Sequence, residues 1–251
     1  MLTSTSNATH RAEDVRIGAH RGAHALATEN TRAAFEAAIV LGVDFIETDV
    51  RRTSDGLLVL HHDPAAFGEL IAQATFDRLL HLAREQRSEF TTFDELLTLT
   101  KGRIHLDIEL KEPGYEEEII AALRRSEMPE DDFVITTFLG ESLRRFKALY
   151  PGPRYGLLIE ENRDSPASDN IRAFLERLRH ADADFVAPHA SLVTPDFISE
   201  MQAQNYPAWV WTVDDPAEMT KFLQTPGVEA IITNHPDLAV RQRSSPSTNQ
   251  E

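Results

Sequence analysis

The chain has 251 residues, 41% of them hydrophobic and 26% charged, no cysteine, and a formal charge of −16. Enough apolar material is present for a sizeable single core, whereas the lack of cysteine excludes disulfides, thiol nucleophiles and cysteine metal sites. The acidic balance argues against a nucleic-acid partner, because phosphate-backbone binding needs clustered Lys and Arg, and it obliges any anionic ligand to find local positive charge. No apolar run approaches the roughly 18–20 residues of a membrane span, so no stable membrane insertion is expected. Met1 to Asp14 is polar, which predicts a disordered leader rather than a signal peptide, and a cytoplasmic location is the default expectation.

Between that leader and an expected disordered tail over 241–251, short apolar runs alternate with amphipathic stretches. Strands are predicted over Arg16–His20 and Asp44–Val50, with a helix over Thr31–Leu41 between them. Asn30 is the predicted N-cap of that helix and Gly42 its stop. Asp55-Gly56 then lies between two β-like runs, a hairpin signature, so the chain is expected to fold back along Leu57–Leu60. Residues 52–90 form an excursion, a loop with a short helix over Phe76–Leu82. Further strands are predicted over Ile104–Leu110, Phe133–Thr137, Tyr155–Ile159, Phe185–Ala187, Ala208–Val213 and Ala230–Thr233. Helices are predicted over Thr92–Thr100, Tyr115–Arg125, Glu141–Leu149, Asn170–Arg179, Pro195–Gln204 and Pro216–Leu223, with Pro195 and Pro216 in first turns, where a missing N–H costs nothing. Eight strands alternating with helices predict an α/β fold, a single closed (β/α)8 TIM barrel over residues 15–240. An open doubly wound sheet is the competing architecture, but no glycine-rich nucleotide motif supports it.

The polar residues concentrate at strand ends. Glu47 and Asp49 share one face of the second strand, and two like charges so close need a cation or basic group between them. Alone the pair is equally compatible with a solvated strand edge. His20-Arg21-Gly22 ends the first strand, where a histidine, an arginine and a tight glycine turn suit an anion. In the third barrel strand His105, Asp107, Glu109 and Lys111 alternate with apolar residues and face inward. Such a row is costly without mutual pairing; Asp107 and His105 are expected to form an internal ladder, while Glu109 joins Glu47 and Asp49 around a cation and Lys111 reaches an anion. Three carboxylates are hard oxygen donors, which favours one Mg²⁺ or Ca²⁺ over zinc. His62 closes the hairpin, and with His20 it fits acid–base chemistry at a phosphorus centre. His61 alternates to the other face, and His24, His81, His180, His189 and His235 are expected to be structural or surface residues.

Taken together, His20-Arg21-Gly22, Glu29-Asn30-Thr31, Glu47-Thr48-Asp49-Val50, Asp55-Gly56, His62-Asp63 and Glu109-Leu110-Lys111 resemble the glycerophosphodiester phosphodiesterase family. Trp211-Thr212-Val213 and the run from Gly227 to Pro236 fit the same pattern, so the resemblance runs from about Arg16 to Asp237. It implies a (β/α)8 barrel that uses a divalent cation to hydrolyse glycerophosphodiesters to glycerol 3-phosphate and an alcohol. By position it makes Glu47, Asp49 and Glu109 metal ligands, His20 and His62 the acid–base pair, and Arg21 and Lys111 the phosphate clamp. Trp211 is expected either to wall the substrate's organic side or to be a core aromatic.

Two departures from the family pattern stand out. Where the family continues after His62-Asp63 with an Arg-Thr pair and a glycine-rich loop, this chain has Pro64-Ala65-Ala66-Phe67-Gly68-Glu69-Leu70 and a shorter excursion. Asn234 stands where aspartate is common, and is expected to serve barrel closure rather than chemistry. The partner implied is a small-molecule phosphodiester. A lysophospholipase D-like activity is the alternative enzyme reading, with Phe67, Leu70 and Ile71 expected either to line a greasier entrance or, equally, to form the excursion's own small core; a non-catalytic phosphodiester-binding barrel is the non-enzymatic one.

Overall fold

A computed structural model describes residues 15–160 and 171–244 of the chain. Strand β1 (Arg16–Ala19) leads through a tight loop into helix α1 (Arg32–Leu41) and then β2 (Phe45–Arg52). The hairpin returns along β3 (Leu58–Leu60) into the excursion, which contains the short strands β4 (Ala65–Ala66) and β5 (Glu69–Leu70) and the helix α2 (Phe76–Glu85). Regular alternation resumes with α3 (Phe93–Thr100), β6 (His105–Leu110), α4 (Glu116–Ser126), β7 (Phe133–Thr137) and α5 (Gly140–Leu149). It continues through β8 (Arg154–Ile159), α6 (Ile171–Ala181), β9 (Phe185–Pro188) and α7 (Pro195–Ala203). Strand β10 (Ala208–Val210), helix α8 (Pro216–Phe222), strand β11 (Val228–Thr233) and helix α9 (Pro236–Ser244) complete it.

Strand β1 pairs in parallel with β11 on one side and β2 on the other, so the sheet β1-β11-β10-β9-β8-β7-β6-β2 closes on itself as a (β/α)8 barrel. The hairpin forms as expected: Gly56 adopts φ 87° in the turn, and β3 runs antiparallel on β2 with Val50 opposite Leu60 and Arg52 opposite Leu58.

Strand alternation divides the apolar residues between two cores. Outward-facing Leu106, Ile108 and Leu110 pack beneath the helices with Phe35, Phe93 and Phe146. Inward-facing Phe45, Val134, Leu158, Phe185, Trp209 and Ile232 fill the barrel itself. Below them Arg154 grips Glu229 with two hydrogen bonds of 2.7 and 2.8 Å, the Trp209 indole N–H donates to Glu229 at 3.0 Å, and the Arg16 guanidinium lies 4.4 Å from the Trp209 ring. With the barrel plugged from below, its buried polar residues are left to the C-terminal rim.

Two expectations are corrected. The N-cap of α1 is Thr31, whose hydroxyl accepts from Ala34 N–H at 3.3 Å, and Asn30 is free for another task. Helix α9 covers Arg241 to Ser244, which the sequence assigned to the tail; the rest of the tail and the leader lie outside the described residues. In the excursion the small-core expectation holds: Val59, Ala66, Ile71, Leu79 and Phe90 form a core of their own. Ile71 is buried there and Phe67 packs against it, so of the three residues considered for a greasy entrance only Leu70 is exposed. No helix among the described residues is long and apolar enough to cross a membrane.

Candidate active site

Strands β2 and β6 lie side by side with Glu47 opposite Asp107 and Asp49 opposite Glu109. Parallel partners point the same way, so the acids of both strands stack inside the barrel toward its C-terminal rim. Glu47, Asp49 and Glu109 are all buried, and one carboxylate oxygen from each lies within 4.8 Å of the others. Their orientation is fixed by neighbours. Arg21 N–H donates to Glu47 Oε2 at 2.9 Å, which Arg21 manages by adopting φ 55°, an uncommon conformation for a residue with a side chain. The following Gly22, at φ 82°, lets this loop lie on α1, since a Cβ there would stand 2.8 Å from that of Ala34. Asn30, also left-handed at φ 53°, donates from Nδ2 to Asp49 Oδ2 and accepts from Thr48 Oγ1, both at 2.8 Å.

The electrostatics are those of a site prepared for positive charge. Burial, reinforced by Asp49 and Glu109, pushes Glu47 well above the usual carboxylate range. Burial also pushes Glu109 up to about 7, only partly offset by Lys111. Asp49 is buried too, but Lys111 and Arg21 beside it outweigh that and hold its carboxyl below the ordinary value. Lys111 Nζ stands 2.7 Å from Glu109 Oε1 and 3.1 Å from Asp49 Oδ1. Arg21 Nε is 3.3 Å from Asp49 Oδ2, while its other end forks onto Glu29 at 3.0 and 3.1 Å. Asp49 Oδ1 is thus a buried carboxylate oxygen whose nearest positive charge is the Lys111 ammonium, and it lies in the same cluster as the Glu47 and Glu109 carboxylates. Three buried carboxylates offering one oxygen each to a common point are the donor chemistry of a Mg²⁺ or Ca²⁺ site. The residues present therefore fit a divalent cation.

The two histidines reach this cluster by different routes. His20 is largely buried; its Nδ1 lies 2.6 Å from Asn234 Oδ1, and its Nε2 points to Glu47 Oε2 at 3.9 Å. Burial, aided by the charge of Arg21, lowers its pKa to about 4. His62 is partly exposed at the hairpin's end, with Nδ1 2.8 Å from Asp63 Oδ1. Its backbone is gripped from below: the buried guanidinium of Arg51, on β2 beyond Asp49, donates to the carbonyls of both His61 and His62 and pairs with Glu112. That clamp was not foreseen.

Other expectations fare differently. Trp211, just past β10, donates its indole N–H to Ala187 O at 2.7 Å and is flanked by Phe138 at 5.6 Å and His189 at 5.1 Å. His189 thus belongs to an aromatic group rather than standing alone, and His24 lies 6.1 Å from His20 and 3.6 Å from Glu29. Asp107 and His105 form no ladder. Thr136 Oγ1 donates to Asp107 at 2.6 Å and burial raises that carboxyl to about 7, whereas His105 turns outward to Asp131 O at 3.2 Å. Asn234, expected to serve barrel closure, follows β11 where that strand pairs with β1, and it also touches His20 directly.

Comparison with known proteins agrees with this layout. The model of the glycerophosphoryl diester phosphodiesterase family matches residues 20–238. A glycerophosphodiester phosphodiesterase of Caldanaerobacter subterraneus is 29% identical over 240 residues, 88% of this chain and 95% of that one. One of Bacillus altitudinis is also 29% identical, covering 91% and 98% of the two chains. Among solved structures, a phosphodiesterase of Oleispira antarctica in complex with the product sn-glycerol-3-phosphate superimposes with a TM-score of 0.78 at 26% identity, covering 92% of this chain and 98% of that one. Fold, acid cluster and family match point the same way: the chain belongs to the glycerophosphoryl diester phosphodiesterase family, a family of phosphoric diester hydrolases.

Proposed function

We propose that the protein hydrolyses glycerophosphodiesters to glycerol 3-phosphate and an alcohol at the C-terminal rim of its barrel. The observation that carries this reading is the convergence of Glu47, Asp49 and Glu109 from two adjacent strands, all buried and with one oxygen from each within 4.8 Å of the others. These three residues hold one divalent cation, Mg²⁺ or Ca²⁺, which when bound supplies Lewis-acid polarisation of a phosphoryl oxygen. Arg21 and Lys111 sit against the same acids and meet the remaining phosphate charge, a need made sharper by the chain's net charge of −16. One of His20 and His62 takes the proton of the attacking hydroxyl or water, and the other returns a proton to the departing alcohol oxygen. The flat group of Trp211, Phe138 and His189 borders the substrate's organic part.

The product oxygens distinguish this reading from its neighbours. Phosphorus NMR of a reaction with glycerophosphoethanolamine is expected to show glycerol 3-phosphate as the phosphorus-containing product. Accumulation of phosphoethanolamine with free glycerol would place cleavage on the other P–O bond and overturn the assignment.

A further inference from the structure

We propose that Asp214 and Asn234 are positioning residues that lock the His20 ring in the tautomer carrying its hydrogen on Nδ1, leaving Nε2 as the bare nitrogen facing the acid cluster. The inference rests on the phosphodiesterase reading for its catalytic meaning, but its geometry stands alone. Asp214 Oδ1 accepts from the Asn234 backbone N–H at 2.8 Å and from Thr233 Oγ1 at 3.1 Å, and Asp214 Oδ2 lies 2.6 Å from Asn234 Nδ2. An ionised carboxylate can only accept, so the amide must turn its NH₂ toward Asp214. Its carbonyl oxygen then faces His20 Nδ1 at 2.6 Å, and a carbonyl can likewise only accept. The hydrogen therefore sits on Nδ1. The backbone is tied to the same corner, because His20 N–H donates to Thr233 O at 3.0 Å.

Nε2, 3.9 Å from Glu47 Oε2, is left with a lone pair. In this form the ring can accept a proton from a nucleophile on that side and cannot give one, which fixes His20 as the base in the first proton transfer. An aspartate in place of Asn234 would accept from Nδ1 too, but beside Asp214 it would set two carboxylates against each other. The asparagine and Asp214 thus work as a matched pair, with acceptor and donor roles set in series.

The pairing makes a reversible prediction. In Asp214→Asn the new amide oxygen can keep the Asn234 N–H and the Thr233 hydroxyl, but its NH₂ now faces Asn234. Asn234 must turn over to accept it, presenting its own NH₂ to His20, and the ring answers by moving its hydrogen to Nε2. The double variant Asp214→Asn/Asn234→Asp restores an acceptor beside Nδ1. The test is nitrogen NMR of protein labelled in its histidine rings, recorded without added metal at about pH 8, above the ordinary histidine pKa of about 6.5. The His20 signals are identified by their loss in His20→Asn. Pyrrole-type nitrogen at Nδ1 is expected in the wild type, at Nε2 in Asp214→Asn, and again at Nδ1 in the double variant. Turnover is expected to follow, with kcat falling at least about 10²-fold in Asp214→Asn at little change in KM, and most of that loss recovered in the double variant. A wild-type ring protonated on Nε2, or an Asp214→Asn ring still protonated on Nδ1, overturns the proposal. Should Asp214→Asn fail to fold, Asn234→Ala serves: a ring that stays wholly in the Nδ1–H form without its acceptor overturns it equally. The expected NMR pattern in a protein that does not cleave glycerophosphodiesters would defeat the functional reading and leave this one standing.

Discussion

Asn30 shows how much of the site hangs on single side chains. It leaves the cap of α1 to Thr31, takes a left-handed backbone, and spends both ends of its amide on holding Asp49 and Thr48. With Asp49 as one of the proposed metal ligands, a residue that orients it in this way would contribute about 10–100-fold to cation affinity. Asn30→Ala is accordingly expected to weaken Mg²⁺ or Ca²⁺ binding by that factor, measured by calorimetric titration; unchanged affinity would show that Asp49 keeps its orientation without it. At the histidines, His62→Ala is expected to lower kcat by about 10²–10⁴, and near-normal turnover would remove it from the mechanism. The acids and Lys111 were legible in the sequence because Glu47 and Asp49 lie within β2 and Glu109 and Lys111 at the end of β6, where alternation alone decides which face a side chain takes. The partners that aim them were not: Asn30 meets Asp49 across 19 residues, and Asn234 meets His20 across 214, distances over which only the closed barrel sets the contact.

At the scale of elements, β2 is the organising strand. It carries Glu47 and Asp49, supports the hairpin at its end, and with Arg51 anchors the turn that delivers His62. Hydrogen bonds from a charged donor are worth about 1.5–3 kcal/mol each, so a shorter cation that cannot span both carbonyls and Glu112 should loosen His62 before it unfolds the hairpin. Arg51→Lys is expected to cost roughly 10-fold or more in kcat with KM little changed; a variant with normal kcat would show that the hairpin holds His62 without the clamp. The hairpin itself was readable from Asp55-Gly56, a local signal. Helix α9 was not, because its apolar Leu238, Ala239 and Val240 fall in one unbroken triplet followed by Arg241-Gln242-Arg243, with no amphipathic period to see. What makes it a helix is its packing, which buries Pro236 and Ala239 and docks Leu238 and Val240 on the main core.

Across the whole molecule, the barrel concentrates carboxyl groups whose charged forms are made unfavourable by burial and by one another. Glu109 and Asp107 are pushed up to about 7 and Glu47 well above its usual range, so the folded protein holds protons that the unfolded chain has released. The stability tied to those protons is present at low pH and is lost as the pH rises through about 7. His20 acts with the opposite sign, but its cost is confined below about 6.5, where the unfolded histidine begins to take a proton. From pH 6.5 upward the acids therefore dominate, and metal-free protein is expected to lose thermal stability as the pH is raised to about 8. Since a cation must displace those protons, the rise in Tm on adding Mg²⁺ or Ca²⁺ should be larger at pH 8 than at pH 6.5; an increment independent of pH would mean that the cation binds elsewhere. The measurement that bears most directly on the central claim is glycerol 3-phosphate release from a glycerophosphodiester, followed before and after thorough chelation and again on returning Mg²⁺ or Ca²⁺. Release that stops on chelation and resumes with the cation in the wild type, but does not resume in Glu109→Gln, is the predicted result; release that continues undiminished in the chelated protein would contradict it.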